Sequence, residues 1–96
     1  MLDDILKEAD SIVHGPRNAH YGDPIDDYTK VVRIFKAITG IDLGADEGAL
    51  FMLAVKLARI STNAEAGVAH RDSLVDAAGY IWVYGSIMEA LEKQVR

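Results

Sequence analysis

Leu2, Ile5, Leu6, Ala9, Ile12 and Val13 recur at three- and four-residue spacing, with Asp3, Asp4, Lys7, Glu8 and Asp10 between them. That pattern predicts an amphipathic helix over about residues 2–13, ended by Gly15 and Pro16. A second stripe of Tyr28, Val31, Val32, Phe35 and Ile38 predicts a helix from Pro24 or Ile25 to about Thr39. Asp26 and Asp27 suit the dipole of its first turn, and Gly40 suits its stop. A third helix is expected from about Glu47 to Ser61, with Asp46 as a potential N-cap. It is apolar nearly all round, and after Glu47 its only charges are Lys56 and Arg59. A helix of that kind lies centrally in a domain or in a subunit interface. The fourth is expected from about Arg71 to Lys93. It contains Gly79 and Gly85, each costing about 1 kcal/mol against alanine in a helix interior, which points to close helix–helix approach or, alternatively, a kink. The segments 15–24 and 62–70 are polar loops. No period-two alternation and no internal repeat is present. The expectation is therefore an all-α protein, a four-helix bundle forming a single domain over residues 1–96.

Composition adds three limits. Half of the 96 residues are apolar, enough for a core, but a domain of this size is marginal alone. With more apolar helix surface than a monomer covers, a homo-oligomer is expected, its interface including aromatic residues of the fourth helix. The net charge of −5 argues against general nucleic-acid binding, which needs a basic face. There is no cysteine, and hence no disulfide framework or thiolate chemistry. The acidic, amphipathic start is unlike a signal peptide, and no apolar run approaches a membrane span, so a cytoplasmic protein without membrane association is expected.

The chemistry concentrates in two places. Asp72 and Asp76 are four residues apart and share a helical face amid apolar neighbours. Paired carboxylates suit Mg²⁺, a hard cation that takes oxygen ligands and keeps several waters. They equally suit an ion-pair network with Lys56 and Arg59, which would otherwise be costly to bury. Lys56 and Arg59 can also bind phosphate, the arginine as a fork and the lysine as a point charge. With Arg17, His20 and Arg71 nearby, the arrangement could hold a nucleotide or another small phosphorylated ligand, with Mg²⁺ between phosphate and carboxylate. The second place is the loop GPRNAHYGDP, where Arg17, His20 and Tyr21 could contact a ligand or Tyr21 could anchor the core. His14, His20 and His70 lack partners at metal-ligand spacing. Tyr80, Trp82 and Tyr84 read as core or interface rather than a base-stacking platform.

RNAHYGDP (Arg17 to Pro24), KLAR (Lys56 to Arg59) and HRDSLVDAAGY (His70 to Tyr80) resemble a family of small proteins encoded mostly by tailed phages and prophages, a domain of unknown function. A wider similarity reaches phage nucleotide-modification-associated domains, which share the YG, K-x-x-R and D-x-x-x-D order. A weaker one reaches the all-α, MazG-like and dimeric dUTPase-like nucleoside triphosphate pyrophosphohydrolases. That resemblance implies an oligomeric helical bundle that holds Mg²⁺ with acidic residues from two helices and cleaves a nucleoside triphosphate to monophosphate and pyrophosphate. The acidic motif of those enzymes corresponds to the Asp72–Asp76 helix. Their E-x-x-E on the preceding helix has no counterpart, because Lys56 and Arg59 occupy that stretch. Three readings stay open: a nucleotide-binding protein with Mg²⁺-dependent pyrophosphohydrolase activity, a module that sequesters a nucleotide without cleaving it, and a protein-interaction module whose charged cluster is structural.

Overall fold

The computed structural model describes residues 2–16 and 22–95. Arg17, His20 and Tyr21, singled out in the first loop, lie outside the described residues. Among those described there are four helices and no strand: α1 (Leu2–His14), α2 (Pro24–Thr39), α3 (Ala45–Glu65) and α4 (Arg71–Val95).

The helix ends follow local chemistry. Pro24 opens α2, where a missing N–H costs nothing. Gly40 closes it at φ 78°, its N–H donating to the Lys36 carbonyl at 2.8 Å. Asp46 is not the N-cap of α3. Gly44 holds that position, and the Glu47 carboxylate reaches back to accept its N–H at 3.0 Å. Capping from the third helical residue lets α3 begin two residues earlier than expected. At its other end α3 runs on through Thr62–Glu65, which the polarity of that stretch had assigned to a loop; the Thr62 hydroxyl and the Asn63 amide each donate to the carbonyl four residues back.

α4 is the spine, packing against α1, α2 and α3, whereas among the described helices α1 packs on α4 alone. The core accordingly divides in two. Ile5 and Ala9 of α1 bury against Val75 near the start of α4. Tyr28, Ala45, Ala49 and Ile87 join α2, α3 and the far half of α4, with Tyr80 and Tyr84 packed against them.

The close-approach glycine is Gly48 of α3. A Cβ there would stand 2.9 Å from Val32 Cγ1 and 3.4 Å from Tyr28 Cδ1. At Gly79 it would meet only Val13 Cγ1 at 3.7 Å, an ordinary contact, and at Gly85 nothing within 4 Å. The expectation that Gly79 and Gly85 serve close packing is thus corrected. Gly79→Ala should raise stability by about 0.5–1 kcal/mol, since it restores helix propensity and restricts the unfolded chain without strain. Urea denaturation of the single variant checks this, and a loss of stability would mean that the Val13 contact is tighter than the geometry indicates.

Candidate functional site

All four helices contribute to one cavity of about 230 Å³. α1 supplies Ala9, Ile12 and Val13 to its lining. Gly22, Pro24, Asp27 and Tyr28 come from the start of α2 and the residues before it. α3 contributes Lys56, and α4 contributes Val75, Asp76, Gly79, Tyr80, Trp82 and Val83. Its walls are thus aliphatic and aromatic, with an ammonium and two carboxylates among them. Trp82 is set by an edge contact with His14, ring centroids 4.8 Å apart.

Lys56 is the residue whose position carries most information. Its side chain is only 13% exposed, and its Nζ lies 3.1 Å from Oδ2 of Asp76, which is 42% exposed. The long lysine stem lies along apolar surface while the ammonium reaches the carboxylate. Asp76 is the wetter member, so the pair joins the interior of the cavity to its open side.

The other residues of the predicted cluster go elsewhere. Arg59 is exposed and lines a separate groove with Thr62, Asn63, His70 and Ser73. There the buried Ser73 hydroxyl is 2.7 Å from His70 Nδ1. Asp72 is exposed and lines neither space. Arg71 is paired with Glu8 of α1 across the α1–α4 contact, both side chains about half exposed. Such a pair contributes little to stability, on the order of 0–1 kcal/mol. So of Lys56, Arg59, Asp72 and Asp76, the structure brings only Lys56 and Asp76 together. The physical reason is the register of two helices that pack along several turns, from the cluster of Ala45, Ala49 and Ile87 to the Lys56–Asp76 pair. Arg59 and Asp72 lie at the edge of that contact and stay exposed.

Asp27 was missed as a site residue. The sequence offered it as a dipole-compatible residue of the first turn of α2, whereas the fold turns it into the cavity beside Tyr28. Tyr80, read as core or interface, packs against the core and also lines the cavity, whereas Trp82 is an exposed residue that lines the cavity beside His14. No local signal marked Asp27, which at i,i+3 from Lys30 reads as a residue of the solvent face. Among the described residues, no group of three or more histidine, aspartate or glutamate side chains gathers as a metal site. No helix among them is long and apolar enough to cross a membrane.

The chain is therefore an all-helical protein with an aromatic, charge-bearing cavity on its central helix. It belongs to the family described as Domain of unknown function (DUF6378), which it matches over residues 4–88. It is 32% identical over 80 residues to the Gene 55 protein of Mycobacterium phage D29, covering 83% of this chain and 50% of that one. To the Gene 55 protein of Mycobacterium phage L5 it is 31% identical over 80 residues, covering 82% of this chain and 49% of the other. The chain thus spans about half the length of these curated relatives. No solved structure matches it.

Proposed function

We propose that the cavity binds a nucleotide, with Lys56 receiving a phosphate and the aromatic wall of Tyr28, Tyr80 and Trp82 receiving the base. The observation that supports this most is the largely buried Lys56 side chain, its ammonium opposed by the Asp76 carboxylate at 3.1 Å, in a cavity whose walls are mainly apolar and aromatic. A sheltered cation beside flat apolar surface matches the two halves of a nucleotide. Asp76 neutralises Lys56 in the free protein, and a phosphate oxygen would take over that task. At about 230 Å³ the cavity is smaller than the roughly 300 Å³ lower bound of drug-sized sites. Base and sugar would fill it, leaving the phosphates at the open side near Asp76.

Mg²⁺ fits such a complex only together with phosphate. Asp27 and Asp76 offer oxygen donors from two helices, and the cation commonly takes one or two carboxylates with phosphate and water completing its shell. Bound there, it would neutralise phosphate charge and polarise a phosphoryl oxygen. The same placement of Asp27 and Asp76 supports a second reading, Mg²⁺-dependent pyrophosphohydrolysis, in line with the wider resemblance to all-α pyrophosphohydrolases. The family's phage relatives suit a role in phage nucleotide metabolism in the host cytoplasm under either reading.

Thermal melts with nucleoside mono- and triphosphates, with inorganic phosphate and with Mg²⁺ test the proposal. Binding to the folded state should stabilise it by about 2.7 kcal/mol at a ligand concentration one hundred times Kd. A melting temperature that no nucleotide moves, with or without Mg²⁺, would remove it and leave the charged pair as a structural element. Release of pyrophosphate from a stabilising triphosphate separates hydrolysis from simple binding.

A further inference from the structure

α2 carries two apolar stripes, and only one of them is used by the core. Tyr28 and Val32 are buried, with Ile25 packed beside them. Val31, Ile34, Phe35 and Ile38 repeat at spacings of three and four around a direction more than a quarter-turn away, at 100° per residue. All four are open, Ile34 at 61% and Ile38 at 78% exposed. Arg33 and Lys36 fall on the opposite side of the helix, and the charge on the stripe's own line is Asp27, one turn before Val31. Phe51 adds an exposed apolar side chain on α3, about 60° around that helix from Gly48, the residue that meets α2.

The whole molecule shows the same deficit of covering. A compact monomer of 10.5 kDa is expected to expose about 5,400 Å², whereas this chain exposes 6660 Å². Its radius of gyration is 14.6 Å, against about 12.5 Å for a compact chain of this length. The excess, roughly 1,200 Å², is somewhat more than the about 800 Å² that each partner contributes to a stable interface.

We propose that the second stripe of α2, with Phe51 of α3, joins two copies of this chain in a twofold-symmetric dimer. A second copy is favoured over a foreign partner because the stripe from Val31 to Ile38 is aliphatic to aromatic, the composition of permanent homodimer interfaces rather than transient ones. Two copies of α2 related by a perpendicular twofold axis run antiparallel, which sets their Asp27 ends apart and opposes no like charges. The dimer is independent of the nucleotide reading, since Val31, Ile34, Phe35, Ile38 and Phe51 do not line the cavity.

Light scattering across the micromolar range is expected to give twice the 10.5 kDa chain mass. The wild-type melting temperature should rise with protein concentration. Ile38→Glu should weaken association at least about 100-fold, the effect of a central apolar residue lost from an interface. Ile81→Glu, at an exposed position of α4, should leave the dimer mass unchanged. If Ile38→Glu fails to fold, the concentration-dependent melt of the wild type still decides the matter. A monomer mass with a concentration-independent melt overturns the proposal. So does a dimer that survives Ile38→Glu and is lost with Ile81→Glu, which would place the interface on another face.

Discussion

Replacing Gly48 by valine is expected to destabilise the protein by about 3 kcal/mol, one of the largest effects available to a single substitution in this chain. Even the first added carbon would stand 2.9 Å from Val32 Cγ1, closer than carbon atoms approach, with the Tyr28 ring at 3.4 Å behind it. Both neighbours are buried and belong to the contact through which α2 meets α3. Neither can swing into solvent, so the strain must be met by separating the helices. Alanine at the same site should cost less, because its helix propensity recovers about 1 kcal/mol over glycine. Chemical denaturation of the two variants beside Gly79→Ala checks the ordering: valine most harmful, alanine milder, and alanine at position 79 stabilising. A Gly48→Val protein as stable as the wild type would show that α2 and α3 can part without loss.

The second large effect is an asymmetry within the Lys56–Asp76 pair. Asp76→Asn leaves the ammonium of a side chain that is 13% exposed without its countercharge, whereas Lys56→Met leaves the carboxylate of a side chain that is 42% exposed. Breaking a fully buried pair costs about 3–5 kcal/mol through the charge left behind. Here one partner reaches water, so Asp76→Asn should cost about 1–3 kcal/mol and Lys56→Met less than about 1 kcal/mol. The methionine keeps most of the lysine stem's packing, and the water-facing carboxylate has little left to lose. Ligand response should follow a different order: Lys56→Met should abolish stabilisation by nucleotides while leaving the apo melt nearly unchanged. Equal costs for the two variants, with nucleotide stabilisation intact in Lys56→Met, would show that the phosphate is held elsewhere.

These two predictions mark where sequence reasoning succeeded and where it stopped. The helices were legible because apolar residues at three- and four-residue spacing bury one side of a helix whatever its partners are, and α1 and α2 ended where their glycines and prolines required. α3 was less legible at both ends, because caps made by Glu47 and continued hydrogen bonding through Thr62 and Asn63 depend on local geometry rather than polarity. The pairing of a third-helix cation with a fourth-helix carboxylate was also legible, from two like-charged residues on one face of each apolar helix.

What the sequence by itself determined is thus the set of helices, the charged residues they carry and the family to which their motifs point. The tertiary structure alone decided which of those residues meet. Spacing places Asp72 and Asp76 on one face, yet in the packed register Lys56 meets Asp76 while Asp72 stays exposed. Nothing local distinguishes Asp27 from Asp26, yet the rotation of α2 about its axis lines the cavity with the first. Gly48 and Gly79 are equivalent as helical glycines, and only the distance between helix axes made one indispensable. In the sequence Tyr28, Val31, Val32, Phe35 and Ile38 read as a single stripe, and only the fold separates the buried Tyr28 and Val32 from a second stripe that holds Val31, Phe35 and Ile38. That it remains open after α1, α3 and α4 have packed is a property of the assembled chain, because burial depends on what lies opposite and not on the residue alone.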